Sequence, residues 1–339
     1  MDAKTAAKDI KQGRISPLYL CYGSEKYQIQ EFVALLQNTL VDRDQRDFAF
    51  AAFDLAETPI EVVVEEAETM PFLVERKLIV VRDSALFTAG KEGGKIEHKV
   101  ESLLSYIGNP AEHSVIVFVV NNEKLDERKK VVKAIKAVGT VLSFMPLGGG
   151  ELVQWVVREV EKRGCKISRE AAEALVAAGG VQMATLAAEV DKLCLYAGVG
   201  GIVEAAAIEQ LVARSTEQNV FAMVEHIAAL KLEPALRIFY ELLKQREEPI
   251  KIAALIARQF RIMLQVKDLG RQSYSQQQIA SQLSLHPYVV KLAGEQSRKF
   301  EAGRLRNILS ELAELDYRMK SGQIDKVLGL ELFLLRLAP

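Results

Sequence analysis

An α/β domain built on a parallel sheet, followed by structure that is helical throughout, is the fold class this sequence predicts. Three observations predict it. Short β-branched apolar runs alternate with amphipathic stretches up to about residue 147. A Gly148-Gly149-Gly150 run then interrupts the pattern. Beyond it, apolar residues recur only at helical spacing. Strands that alternate with helices imply a parallel sheet covered on both faces.

In chain order, the polar segment from Met1 to Gly13 is a helix without the apolar core of a signal peptide. Leu18–Tyr22 is a strand and Glu25–Leu40 an amphipathic helix. Phe48–Phe53 is a second strand. Pro59–Thr69 is a helix, with Thr58 as N-cap and Pro59 as first residue. Pro71 ends it, because a proline disfavours helical geometry in the residue before it. Leu78–Val81 is a wholly apolar, buried strand. The Gly90–Gly94 loop follows, then a helix over Ile96–Ile107 with Val100, Leu103, Leu104 and Ile107 on one face. Val115–Val120 is the most hydrophobic strand, Asp126–Val138 a basic helix and Thr140–Phe144 the fifth strand.

After the glycine linker, Glu151–Arg163 is a helix carrying Trp155, a core residue. Ser168 caps the next helix. Val181–Tyr196 is a third, with Leu186, Val190, Leu193 and Leu195 as apolar positions, closed by Gly198–Gly201. Arg214-Ser215-Thr216 reads as a second hinge. Helices follow near Val220–Leu230, Pro234–Lys244, Ile250–Leu269, Gln276–Leu283, Pro287–Phe300, Arg304–Arg318 and Ile324–Leu337. The expected domains are 1–147, 148–213 and 214–339.

Composition excludes several function classes. The chain has 339 residues, 49% hydrophobic and 26% charged, with a net charge of −1. That balance gives no global case for nucleic-acid or membrane attraction. No run reaches the roughly 18 apolar residues of a membrane span. Cys21, Cys165 and Cys194 are far apart and odd in number, which fits buried thiols in a reducing cytoplasm. His98, His113, His226 and His286 form no ligand spacing with them, so no zinc site is expected.

A parallel α/β domain invites a nucleotide site. A phosphate loop would read G-x-x-x-x-G-K-[ST] after the first strand, with glycine amides around the phosphates and lysine and hydroxyl handling charge and magnesium. Here Gly23, Ser24, Glu25 and Lys26 lead into Tyr27-Gln28-Ile29-Gln30. The entry glycine is present; the second glycine and the Lys-Ser/Thr pair are not. Asn121-Asn122 stands where a magnesium-binding carboxylate would follow Val115–Val120, with Glu123 and Asp126 as the next acids. Lys91 lies in a loop that does not join strand to helix. No cofactor and no intrinsic active site are expected.

The stretch from Met70 to Asp83, MPFLVERKLIVVRD, places Met70, Phe72, Leu73 and Val74 on a turn between helix and strand. Turns are usually polar. These side chains either fold back under the sheet or form an apolar knob that binds a partner.

Ser275–Lys299 outlines a helix-turn-helix, with Ile279, Ala280 and Leu283 on one helix, Leu285 in the turn and Val289, Val290 and Leu292 on the next. A DNA reader needs polar side chains at the start of its second helix. This one starts Pro287-Tyr288-Val289-Val290-Lys291, which suits a packed hairpin better.

The layout resembles the delta subunit family of the bacterial DNA polymerase III clamp loader over nearly the full length. The resemblance rests on PLYLCYGSE from Pro17 to Glu25, RKLIVV from Arg76 to Val81 and EVDKL from Glu189 to Leu193. ARQFRIMLQVK from Ala257 to Lys267 and LHPYVVK from Leu285 to Lys291 complete it, and are its most specific parts. It implies an AAA+-like α/β domain with a degenerate nucleotide site, a small helical lid and an all-α C-terminal collar that assembles the loader. It implies membership of the DNA polymerase III holoenzyme, a nucleotidyltransferase as a complex. The implied partners are the beta sliding clamp, the gamma/tau motor subunits, delta-prime and primed DNA, in the bacterial cytoplasm. Phe72 and Leu73 then fall on the pair that enters the clamp pocket, with Met70 and Val74 beside them. The alternative is a DNA-binding regulator using residues 275–299 and the basic helix with Lys124, Arg128, Lys129, Lys130, Lys133 and Lys136. A complex with the clamp in the absence of DNA separates the two.

Overall fold

The computed structural model describes residues 2–41, 43–82, 85–89 and 96–337. The Gly90–Gly94 loop with Lys91, and Asp83, lie outside them. The chain divides into two compact units, Met1–Pro146 and Leu147–Pro339.

The first unit runs α1 (Ala3–Lys11), β1 (Leu18–Gly23), α2 (Lys26–Leu40), α3 (Arg46–Ala49), β2 (Phe50–Asp54) and α4 (Ile60–Glu68). It continues β3 (Lys77–Arg82), α5 (Val100–Gly108), β4 (Ser114–Val120), α6 (Lys130–Val138) and β5 (Thr140–Phe144). The five strands form one parallel sheet in the order β2-β3-β4-β1-β5. The alternation of β3 divides its side chains between two cores. Ile79 and Val81 join Ile60 and Val63 of α4, Leu103 of α5 and Ile135 of α6 on one face. Leu78 and Val80 join Ile10 of α1 and Phe32 and Leu36 of α2 on the other.

Several boundaries differ from the sequence reading. Phe48 belongs to α3, not to a strand, and is 54% exposed. Pro59, not Thr58, occupies the N-cap of α4 with φ −62° and ψ 147°. Proline has no capping side chain, and the free amide of Ile60 donates to Nδ1 of His98 at 3.2 Å. The basic helix α6 starts at Lys130, because Asp126 is committed to a turn, accepting from the Arg128 amide at 3.1 Å and from its guanidinium. Likewise α5 starts at Val100 rather than Ile96.

The second unit runs α7 (Gly149–Lys162), β6 (Lys166–Ile167), α8 (Arg169–Gly179), α9 (Met183–Ala197), β7 (Ile202–Val203) and α10 (Ala205–Leu211). It ends with α11 (Thr216–Ala228), α12 (Leu232–Lys244), α13 (Pro249–Arg271), α14 (Gln276–Leu283), α15 (Pro287–Ser297), α16 (Ala302–Lys320) and α17 (Lys326–Leu337). The glycine run is not a free linker: Gly148 caps α7, and Gly149 and Gly150 are its first residues. A Cβ on Gly149 would come within 2.5 Å of the Tyr288 ring, so only glycine lets α15 approach there. The expected hinge at Ser215 is a capping box, in which Ser215 and Gln218 bond each other's backbone amides. Leu186, Val190 and Leu193 are buried on α9, but Leu195 is 84% exposed. Two residues past Leu193 at helical spacing, its side chain points to the opposite face. Trp155 and the three cysteine thiols are buried, as the sequence implied. The long helix α13 threads the C-terminal core, contributing Ile252, Ile256, Phe260 and Met263. Among the described residues, no helix is long and apolar enough to cross a membrane.

Candidate functional site

The segment between α4 and β3 carries the candidate site, and its base is rigid. Lys77 opens β3 and is only 3% exposed. Its ammonium donates to the Glu66 carbonyl and lies 2.9 Å from Glu66 Oε1. Ser114 Oγ of β4 donates to the Ala67 carbonyl at 2.7 Å. The last turn of α4 is thus bonded to the start of two central strands. Thr69 closes the helix, its hydroxyl donating to the Glu65 carbonyl at 2.7 Å.

From this base the four apolar residues of the turn separate. Val74 is half-buried and packs against the core beneath α1 and α2. Met70, Phe72 and Leu73 stand out at 75%, 69% and 70% exposure. Folding back under the sheet therefore describes Val74, and projection into solvent describes the other three. Leu73 has φ +64°, a left-handed conformation that costs a non-glycine residue about 1–2 kcal/mol. Phe48, which the strand assignment had hidden, stands beside Phe72 with ring centroids 6.4 Å apart, edge to face. Its exposure comes from the turn of α3, which the alternating Phe48 and Phe50 do not signal. Glu68, Glu75 and Arg76, close in sequence, are exposed as well. Large apolar side chains gathered in solvent on one turn mark a surface suited to binding a partner.

The phosphate-loop position has a different geometry. Gly23 has φ +145°, and a Cβ there would lie 1.9 Å from the Phe144 carbonyl oxygen. That closeness lets β5 pair to the very end of β1. The amides that a phosphate would need are occupied: Glu25 N–H donates to the Phe144 carbonyl at 3.1 Å and Lys26 N–H to the Ser24 carbonyl at 3.1 Å. Ser24 Oγ donates to Glu123 Oε1 at 2.9 Å. The Glu25 carboxylate stands at the N-terminus of α2, and burial raises its pKa. A carboxylate at the mouth of the loop repels phosphate.

The helix-turn-helix outline is a packed hairpin. Ile279, Ala280 and Val290 are buried in the C-terminal core, with Leu283 and Leu285 against it. The start of α15 is turned inward, Tyr288 being buried at Gly149 of α7. Near α6, Arg128 is paired with Asp126 and Lys136 with Glu127.

Comparisons with known proteins agree along the chain. A family model described as DNA polymerase III, delta subunit, matches residues 19–145. A second, DNA polymerase III delta subunit, C-terminal domain, matches residues 217–337. The DNA polymerase III subunit delta of Bacillus subtilis (strain 168) is 43% identical over 330 residues, 97% of this chain and 95% of that one. A probable DNA polymerase III subunit delta from Aquifex aeolicus (strain VF5) is 20% identical over 244 residues, 71% of this chain and 67% of that one. The solved Bacillus subtilis DNA clamp loader delta protein superimposes with a TM-score of 0.79 at 42% identity, covering 99% of both chains. On both halves of its sequence, on a near-full-length relative and on a shared fold, the chain belongs to the DNA polymerase III delta subunit family.

Proposed function

We infer that this chain acts in clamp loading as the subunit that binds and opens the beta sliding clamp, with Phe72 and Leu73 as anchors and Met70 beside them. The observation that carries the reading is the exposure of three adjacent large apolar side chains on a turn whose base is bonded to the sheet. A fixed base lowers the entropy lost when the side chains enter a partner pocket. Val74 anchors the turn from beneath, and Phe48 extends the contact surface. Opening the ring is differential binding: the subunit holds the strained or open clamp better than the closed one. The loop at Gly23–Lys26 serves no nucleotide, so the energy of ATP enters through the gamma/tau motor subunits. Residues 148–213 act as the lid and 214–339 as the collar that joins those subunits and delta-prime around primed DNA in the cytoplasm.

Gel filtration of the full chain with a bacterial beta clamp, without DNA, tests this. A complex is expected, and the double change Phe72→Ala, Leu73→Ala should abolish it. Burying each side chain is worth roughly 1.5–3 kcal/mol. The pair therefore accounts for about 3–6 kcal/mol, a hundredfold to ten-thousandfold in affinity. Wild-type affinity in the double mutant would remove the reading.

A further inference from the structure

Phe48 comes to the exposed turn from a separate segment of the chain. The four residues of α3, Arg46–Ala49, run straight into β2 at Phe50. Ala49 is 1% exposed and sits in the core beneath α1 and α2, where Phe50 packs in part. The Arg46 guanidinium lies 5.6 Å from the centre of the Phe50 ring, a cation–π contact that ties the start of α3 to β2. With Ala49 turned inward, Phe48 is turned out. Val74 reaches the same core from the turn before β3, two residues after Phe72. Ala49 and Val74 thus fix both segments on one support, and Phe48 meets Phe72 outside it.

The contact is well formed in geometry and poor in burial. Ring centroids 6.4 Å apart at an interplanar angle of 65° fit the edge-to-face arrangement that the ring quadrupoles favour. Yet Phe48 stays 54% exposed and Phe72 69%. An aromatic pair that serves stability is covered by its surroundings; this one leaves most of both rings in water. What the contact supplies is orientation, because Phe48 blocks the rotamers of Phe72 on its own side. A side chain already held gives up less entropy on entering a pocket.

We propose that Phe48 is a positioning residue for clamp binding: it holds the Phe72 ring in the orientation that enters the pocket of the beta clamp. The proposal rests on the clamp reading above. Phe72 makes the anchoring contact, and Phe48 stays at the rim, where it helps exclude water from the anchor. Because Phe48 acts through Phe72, its value to binding vanishes when the Phe72 ring is absent. An edge-to-face contact of this kind corresponds to about two- to tenfold in affinity.

Surface plasmon resonance of the full chain on immobilised beta clamp is the test. Phe48→Ala, Phe48→Leu and Phe48→Tyr are made alone and together with Phe72→Ala, as a double-mutant cycle. Phe48→Ala is expected to weaken binding about two- to tenfold when Phe72 is present and to have no further effect in a Phe72→Ala chain. Phe48→Tyr keeps the ring and should bind as the wild type. Phe48→Leu keeps apolar area without the ring and should not. Melting temperature should stay the same throughout. Wild-type affinity in Phe48→Ala, with binding weakened in Phe72→Ala, would overturn the proposal and leave the clamp reading standing. Equal losses with and without Phe72 would make Phe48 an independent contact, and a lowered melting temperature in Phe48→Ala would make it a structural residue; either overturns the proposal. Wild-type affinity in Phe72→Ala would remove the clamp reading, and this proposal with it.

Discussion

Lys77 Nζ lies 2.9 Å from Glu66 Oε1 while 3% of the lysine remains exposed, so a buried ammonium joins the last turn of α4 to the first residue of β3. The exposed turn is hung between these two residues. A buried cation that loses its partner is costly, because the remaining charge has no water to solvate it.

Glu66→Gln tests this tie without changing its shape. The amide oxygen keeps a hydrogen bond to Lys77 but loses the charge, and Glu66 is partly exposed. A loss of about 1–2 kcal/mol in urea unfolding is expected. Glu66→Ala should lose more and should also weaken clamp binding, since the turn loosens with its base. Unchanged stability in both variants would show that the tie does not hold the turn.

Leu73 separates a plug from a core residue by the sign of its effect. In Leu73→Gly the φ of +64° becomes unstrained, and unfolding free energy should rise by up to about 1 kcal/mol. Clamp affinity should fall by roughly 1.5–3 kcal/mol as the side chain is lost. A core leucine would instead lose about 2–5 kcal/mol of stability on truncation. Paired chemical denaturation and clamp titration read both signs.

The Gly23–Lys26 loop should bind no ATP. Its Glu25 and Lys26 amides are bonded to the carbonyls of Phe144 and Ser24, and the Glu25 carboxylate faces the same helix end. Calorimetric titration of the isolated chain with magnesium-ATP should give no heat of binding. A saturable micromolar isotherm that is lost in Gly23→Val would contradict this.

His286 should make the C-terminal unit acid-sensitive. Its Nδ1 accepts from the Tyr288 amide at 3.1 Å and caps α15, so the neutral ring carries its proton on Nε2. Nε2 is buried with no protein partner among the described residues, and burial lowers the pKa to about 4. The folded pKa lies below the unfolded value of about 6.5. The contribution is therefore complete above pH ~6.5 and is lost as pH falls towards 4. The ring is partly open to solvent, which reduces the loss to about 1–2 kcal/mol. His286→Asn keeps a capping oxygen and does not titrate. Urea unfolding at pH 7 and pH 4.5 should show a smaller acid loss in that variant than in the wild type.

Sequence alone determined the alternation of strands and helices, because period-two and period-3.6 apolar patterns each require a buried face. It showed that the Gly23 loop departs from the phosphate-loop pattern, without its second glycine and Lys-Ser/Thr pair, since that pattern is written in residue types at fixed spacing. It also placed Met70, Phe72, Leu73 and Val74 on one turn. It could not say which of them face solvent. That depended on the Lys77–Glu66 and Ser114–Ala67 bonds, which join residues far apart in the chain, and on the core beneath α1 and α2 that receives Val74. Phe48 was hidden because a four-residue helix has no period to read. Lys267 and Arg271 lie on α13, Arg306 on α16, and Arg298 and Lys299 in the turn after α15, and only packing brings them to one cavity. Local pattern is written in neighbouring residues; exposure, ion pairing and convergence are settled by contacts between distant ones.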